Sequence, residues 1–342
     1  MYGKTTTEAR EKGNEVRDRL RAQLPAKDRR VTVAVFTTDW IDSTLAASDR
    51  KATTKAMYSA VAKKHIVGAT IGARSLDKLK PSHVEAWKVE LQKRGLSEST
   101  IRSAYTILRA ILDTAVRDDA LAKNPASSVA RPKVTRKEAA YLTTTQVRTL
   151  LAKAETSRYG VLFELLVNTG LRRGEALALT WSDADFEKKL IRVRGTLARM
   201  DGELVVTEPK TEKSRRAIHL SPASERVLKV VRLRQKGERL KAGSAWVQTN
   251  HIFTTETGAP CDPRNALRAL KLAAGNAELP GIGLHTLRHS AATLMIENGV
   301  PLKVVSEILG HFSVSITGDI YGHVSPDVSA QAMDALSAAL HG

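Results

Sequence analysis

Between Ser97 and Asp118 the chain carries Ile101, Tyr105, Leu108, Ile111, Leu112 and Ala115 at three- and four-residue spacing. That spacing puts all six on one face of a helix. Such a helix is stable in water only when its apolar face is covered, so the segment needs helical neighbours, and the preceding residues supply them. Thr32–Leu45 (Val33, Val35, Phe36, Trp40, Ile41, Leu45) moves into helical spacing, and Thr54–Ile66 predicts one further helix. Pro81–Arg94 predicts another, with Ser82 as its N-cap and Gly95 as its C′ stop. Asn124-Pro125 closes the series. Residues 31–130 are therefore expected to form a helical domain.

Ala130–Glu138 (Arg131, Pro132, Lys133, Arg136, Lys137) is basic, and the residue before a proline is pushed towards extended geometry. Residues 131–140 read as an interdomain linker; a solvated loop explains its charge as well as contact with DNA does. The second domain, 141–342, predicts helices over Thr143–Lys153, Gly160–Thr169 with Gly170 as C′ stop, and Arg173–Leu179. Short strands are expected at Leu190–Val193, Glu203–Val206 and Arg215–Leu220. Helices follow over Ala223–Arg239, Arg264–Ala274, Thr286–Asn298 and Pro301–Leu309, with Pro301 at N1 and Gly310 at C′. An amphipathic helix is expected over Asp327–Leu340. The fold class is mainly α, with a small antiparallel β-sheet in the second domain.

At 342 residues the chain fits two domains, given about 150 residues for each. Lysine and arginine number 54 against 36 acidic residues, a formal charge of +18, and so large an excess points to a polyanion partner. Only 4% of residues are aromatic, which disfavours single-stranded bases stacked on aromatic platforms. Duplex DNA held through its phosphates fits better. The single cysteine, Cys261, rules out an internal disulfide framework and multi-cysteine zinc or iron–sulfur sites. Apolar stretches such as Val161–Val167 fall far short of the ~20 residues that span a bilayer. The first residues have no apolar signal region. A cytoplasmic location without membrane attachment is expected.

Chemistry-bearing residues fall in order along the second domain. In Thr169-Gly-Leu-Arg-Arg-Gly-Glu175, Arg172 stands at a helix entrance, and Glu175 three residues on is placed to hold it. A surface ion pair alone would also explain that spacing. In His285-Thr-Leu-Arg288-His289, His285 and Arg288 share a face. His285 and His289 have the spacing of a two-histidine zinc site. Zinc is set aside because no glutamate follows the first histidine and no clear third ligand presents itself; His289 reads as a satisfied structural residue. Leu309-Gly310-His311 puts a histidine just past a helix stop, and Tyr321 lies in Ile316-Thr-Gly-Asp-Ile-Tyr321-Gly-His323. Lys210 sits on the second strand or its turn, with Lys213 as an alternative nearby. Two arginines can clamp the non-bridging oxygens of a phosphodiester, tyrosine can form a covalent ester, and lysine or histidine can protonate a leaving oxygen. No carboxylate cluster suited to two magnesium ions appears, which disfavours a two-metal nuclease.

Taken in order, Thr169-Gly-Leu-Arg172, Lys210, His285-x-x-Arg288, Leu309-Gly-His311 and Tyr321 resemble the active-site set of the tyrosine recombinases, specifically the phage-type site-specific integrases. Each motif alone is weak; their order across the whole second domain is specific. Leu76-Asp-Lys-Leu-Lys-Pro81, Gly95-Leu-Ser-x-x-Thr-Ile101 and Asn124-Pro125 are similar to the SAM-like helical core-binding domain of that family. Thr5–Leu24 resembles the final helix of the family's N-terminal arm-binding domain, without the strands that precede it there. Residues 1–30 are read as a helix and connector, a remnant of that domain.

The resemblance implies a DNA clamp of two domains that cuts and rejoins duplex DNA through a 3′-phosphotyrosyl intermediate and a Holliday junction. Tyr321 would be the nucleophile, Arg172 and Arg288 the phosphate clamp, and His311 a third donor. Lys210 would be the general acid and His285 would assist proton transfer. Glu175 would orient Arg172, and His289 would support the set. Neither metal nor other cofactor is implied. The implied partners are duplex DNA at attachment-type core sites, a homotetramer on two sites, and an accessory DNA-bending or directionality protein. Candidate DNA contacts are Lys93, Arg94, Arg102 and Arg109 in the helical domain, Arg131, Lys133, Arg136 and Lys137 in the linker, and Arg173 and Arg215 in the second domain. Two other functions use part of this set: a topoisomerase-like relaxer with the same tyrosine chemistry, and a catalytically idle DNA-binding regulator.

Overall fold

The structure, a computed structural model, describes residues 31–135, 140–200, 202–208 and 215–310, with isolated positions at Thr7, Arg10, Asn14, Asp334, Ser337 and Ala338. The chain divides into two compact units, residues 1–136 and 137–342.

The first unit is helical. Helix α1 (Val33–Trp40) runs into a π turn at Ile41–Leu45, and α2 (Ala52–Ala62) into a second at Lys63–Val67. Helices α3 (Pro81–Lys93) and α4 (Glu98–Arg117) follow. The six residues that marked the α4 face are all buried. Buried polar tips find partners, as desolvated groups must. Trp40 Nε1 donates to Thr114 Oγ1 at 3.1 Å, and Trp87 Nε1 to the His65 carbonyl at 2.7 Å. Tyr105 Oη reaches the carbonyls of Ala126 and Val129, both at 2.8 Å, which ties the 3₁₀ turn Pro125–Ser128 to the core. Ser97 caps α4 as its sequence suggests. Ser82 does not cap α3. Pro81 already has helical φ as the first residue, so the N-cap is Lys80, whose backbone N–H donates to His83 Nδ1 at 3.2 Å.

The second unit packs helices around two small antiparallel sheets. Its first helices are α5 (Thr144–Ala154), α6 (Gly160–Thr169) and α7 (Arg173–Ala178). Strands β1 (Ala184–Asp185), β2 (Leu190–Val193), β3 (Thr196–Met200), β4 (Glu203–Thr207) and β5 (Arg216–His219) come next. The order β1-β2-β5 makes one sheet, with Leu190 opposite His219 and Val193 opposite Arg216. The hairpin β3-β4 makes the other, with Met200 opposite Glu203. Strand β3 is absent from the sequence expectation because only Leu197 among its residues is buried, so it has no apolar alternation. The Asp201-Gly202 pair in the sequence, a common hairpin signal, is what finds it.

The remaining helices are α8 (Pro222–Ala242), α9 (Pro263–Asn276), α10 (Leu284–Glu297) and α11 (Leu302–Leu309). Leu162, Phe163, Leu166, Ile191, Leu228 and Leu287 are fully enclosed in one core that links helices and sheet. Pro301 is the N-cap of α11 and not its first residue, because its ψ of 137° is extended and helical geometry begins at Leu302. Among the described residues no helix is long and apolar enough to cross a membrane. The expected helices over Thr5–Leu24 and Asp327–Leu340 lie outside the described residues, except for the isolated positions named above.

Two glycines let the chain reverse beside α10. Gly170 ends α6 at φ +63° and Gly310 ends α11 at φ +64°, the left-handed region that costs other residues about 1–2 kcal/mol. Space is also short. A Cβ on Gly170 would lie 2.6 Å from Leu309 Cδ2, and one on Gly310 would lie 2.9 Å from Arg216 Nη1.

Candidate active site

Four of the sequence-expected residues come together in the second unit: Arg172, Glu175, His285 and Arg288. Arg172 is the N-cap of α7, extended at φ −68° and ψ 146°, so it stands just before the helix that carries Glu175. The Glu175 side chain turns back on it. One carboxylate oxygen accepts the Arg172 backbone N–H at 2.9 Å, and the other accepts Arg172 Nη1 at 2.7 Å. Glu175 is only 3% exposed, and a carboxylate so deeply placed needs charge-assisted partners.

Arg288 is also 3% exposed. Its Nη1 donates to the Gly170 carbonyl and its Nη2 to the Leu309 carbonyl, each at 2.8 Å. One guanidinium thus joins the two left-handed glycine turns, across sequence separations of 118 and 21 residues.

A third arginine completes the cluster. Arg216, at the start of β5, places Nη2 3.0 Å from one Glu175 oxygen and Nη1 3.3 Å from the other, and its Nε donates to the Ile308 carbonyl at 2.6 Å. Arg172 Nη2 donates to the Gly310 carbonyl at 3.2 Å. Consecutive carbonyls at the end of α11 (Ile308, Leu309, Gly310) therefore receive Arg216, Arg288 and Arg172 in turn. Helix C-termini leave carbonyls unpaired and carry partial negative charge, and the arginines answer both. With one carboxylate among three guanidinium groups, the cluster keeps a positive excess suited to a phosphodiester.

The sequence reading missed Arg216 and named its neighbour Arg215, which is exposed and faces Glu208 at 3.4 Å. Strand alternation gives the signal that was available. Ile218 and Leu220 are buried while Ala217 and His219 are exposed, so Arg216 shares the inward face.

His285 and His289 lie on the exposed side of α10, with ring centroids 6.2 Å apart. Partial desolvation, then the charges of Arg288, Arg172 and Arg173, lower the pKa of His285. His289 is lowered by burial, then by His285 and Arg288. Both shifts favour the neutral imidazole. Burial pushes the Glu175 carboxyl up, but the hydrogen bond and charge of Arg216, followed by Arg172, outweigh it and hold the group below its ordinary value. An NMR titration of the His285 ring protons is expected to give a midpoint below the ordinary histidine value, and Arg172→Ala should move it upward. A midpoint at or above that value in the wild-type protein contradicts the assignment.

Lys210, Lys213, His311 and Tyr321 lie outside the described residues, as do Arg136 and Lys137. Among the proposed DNA contacts, Lys93, Arg94, Arg109, Arg131, Lys133 and Arg173 are exposed and Arg102 is half-buried. Arg94 is 3.7 Å from Glu90. Cys261 is buried, and burial pushes its thiol up to about 11. Among the described residues there is no group of three His, Cys, Asp or Glu side chains placed to hold a metal ion.

The sequence and the fold both have known counterparts. Residues 140–327 match the model of the phage integrase family. A XerC-like tyrosine recombinase of Caldanaerobacter subterraneus is 32% identical, covering 98% of this chain and 90% of that protein. The ICEBs1 integrase of Bacillus subtilis is 30% identical, covering 76% of this chain and 71% of its own length. In fold, the chain resembles the Tn1549 transposon integrase in complex with a circular intermediate DNA, with a TM-score of 0.72 at 23% identity over 89% of this chain and 99% of that one. It also resembles lambda integrase, solved as a tetramer bound to a Holliday junction, with a TM-score of 0.66 at 18% identity over 95% and 90% of the two chains. The order of the motifs, the arginine cluster and the match over more than half the chain agree: this protein belongs to the phage integrase family and is a tyrosine recombinase, an enzyme that breaks and rejoins DNA site-specifically.

Proposed function

We propose that Tyr321 is the nucleophile of this recombinase and that Arg172 and Arg288 bind the scissile phosphate, with His311 as a third donor. The tyrosine oxygen attacks phosphorus, the bond to the 5′-oxygen breaks, and a 3′-phosphotyrosyl ester forms. Lys210 protonates the departing 5′-oxygen. His285, whose lowered pKa favours the neutral ring, takes the tyrosine proton. Attack on the ester by the 5′-hydroxyl of a partner strand reverses these steps and joins the exchanged ends. Bond energy is retained in the ester, so the chemistry needs no nucleotide hydrolysis.

The observation that carries this reading is that Arg172 and Arg288 meet on the carbonyls of Gly310 and Leu309, the residues just before His311, with His285 within the field of both arginines. Phosphate contacts from both units fit the charge of +18. In the first unit, Arg102 and Arg109 lie two turns apart on α4, away from its buried stripe. In this reading the protein acts as a homotetramer on two attachment-type sites through a Holliday junction. It works in the bacterial cytoplasm at the nucleoid, with an accessory DNA-bending or directionality protein. The DNA-bound and tetrameric relatives support that assembly.

The test is a plasmid carrying two copies of the DNA that flanks the protein's own gene. Incubation with the purified protein is expected to yield deletion or inversion between the copies. Relaxation of supercoils without exchanged ends would favour the topoisomerase-like activity, and binding without any change in the DNA would favour an idle regulator.

A further inference from the structure

Arg216 is engaged inside the protein through all three of its guanidinium nitrogens, and its side chain is 7% exposed. It is therefore badly placed to touch DNA. Arg172 differs. Its side chain is 34% exposed, and its guanidinium donates to one Glu175 oxygen and to the Gly310 carbonyl. The two arginines share one buried carboxylate, and the sharing has a consequence for phosphate binding. If Arg172 were the only cation on Glu175, a phosphate would compete with the carboxylate for that guanidinium. Any movement of Arg172 towards DNA would strand a buried negative charge, which is costly. With Arg216 forked across both oxygens, Glu175 stays neutralised whatever Arg172 binds.

We propose that Arg216 is a positioning residue for strand cleavage, acting through Glu175 to hold Arg172 and the Gly310 turn in place while Arg172 engages the phosphate. The proposal rests on the reading of Arg172 as a phosphate clamp. Geometry supports it from two sides. The Arg216 fork fixes the carboxylate that orients the Arg172 backbone and guanidinium. Its Nε fixes the Ile308 carbonyl, two residues before Gly310, and Gly310 has no room for a Cβ against the Arg216 side chain. The low pKa of Glu175, to which Arg216 contributes before Arg172, is consistent with this arrangement.

The experiment compares full-length Arg216→Gln, Arg216→Lys, Glu175→Gln, Arg172→Ala and the double variant Arg216→Gln/Glu175→Gln. The substrate is a nicked duplex, from the flanks of the protein's own gene, that the wild-type protein cleaves. Single-turnover cleavage, DNA affinity and the pH profile are measured together. Arg216→Gln is expected to slow cleavage by about 100-fold, the usual scale for a misplaced catalytic group, with DNA affinity within about 3-fold of wild type. Arg216→Lys should fall between the two, since an ammonium supplies the charge but not the fork. In the Glu175→Gln background the same substitution should cost no more than about 3-fold further, because both changes break one connection. The acid limb of the Arg216→Gln profile should move towards neutral pH as Glu175 loses a partner, an effect that loss of folding alone would not produce. If Arg216→Gln does not fold, Arg216→Lys alone and on Glu175→Gln decides in the same way. Cleavage by Arg216→Gln or Arg216→Lys at the wild-type rate, or losses that multiply in full in the double variant, would overturn the proposal while leaving the clamp intact. Normal cleavage by Arg172→Ala would overturn both.

Discussion

Arg288→Met is expected to destabilise the second unit by about 2–5 kcal/mol, because it leaves the buried carbonyls of Gly170 and Leu309 without their donors. Methionine fills much of the same volume, so the loss reports the hydrogen bonds more than a cavity. The urea midpoint of the full chain should fall with little change in slope. Cleavage should also be lost at temperatures where the variant is still folded, since the substitution removes a guanidinium from the cluster. A stability within about 0.5 kcal/mol of wild type would show that the Gly170 and Gly310 turns hold without Arg288.

Tyr321→Phe is expected to lower single-turnover cleavage by about 10⁴-fold or more, as loss of a covalent nucleophile does, while DNA affinity stays within about 3-fold. The substitution removes one oxygen and keeps the ring, so it separates chemistry from packing. The residues named for binding are unchanged in this variant: the arginine cluster, the exposed cations of α3 and α4, and the linker. Residual cleavage at the wild-type rate would assign the nucleophile to another residue.

Much of the scaffold is legible in the sequence because local physics dictates it. The α4 stripe from Ile101 to Ala115 has one way to be buried, and Gly170 and Gly310 end their helices where left-handed geometry is needed. The pairing of Arg172 with Glu175 follows from three-residue spacing at a helix start. The parts that spacing does not show depend on distant segments. Nothing local to His285–His289 announces that Arg288 is enclosed and bridges two glycine turns, because Gly170 and Leu309 reach it from other parts of the chain. Arg216 was hidden for a related reason. Of two adjacent arginines the exposed Arg215 reads as the functional one, yet strand alternation turns Arg216 inward to Glu175. The cap at Lys80 and the strand at Thr196–Met200 were missed because Pro81 and a two-residue turn, and not an apolar pattern, define them.

The most direct measurement is covalent trapping followed by peptide identification. The protein is mixed in EDTA with supercoiled DNA carrying the flanks of its own gene, quenched with detergent, and digested with nuclease and protease. The expected result is a peptide containing Tyr321 that retains a nucleotide through a phosphotyrosyl bond, and no such adduct from Tyr321→Phe. A nucleotide on a different residue, or an adduct of equal yield from Tyr321→Phe, would contradict the central assignment.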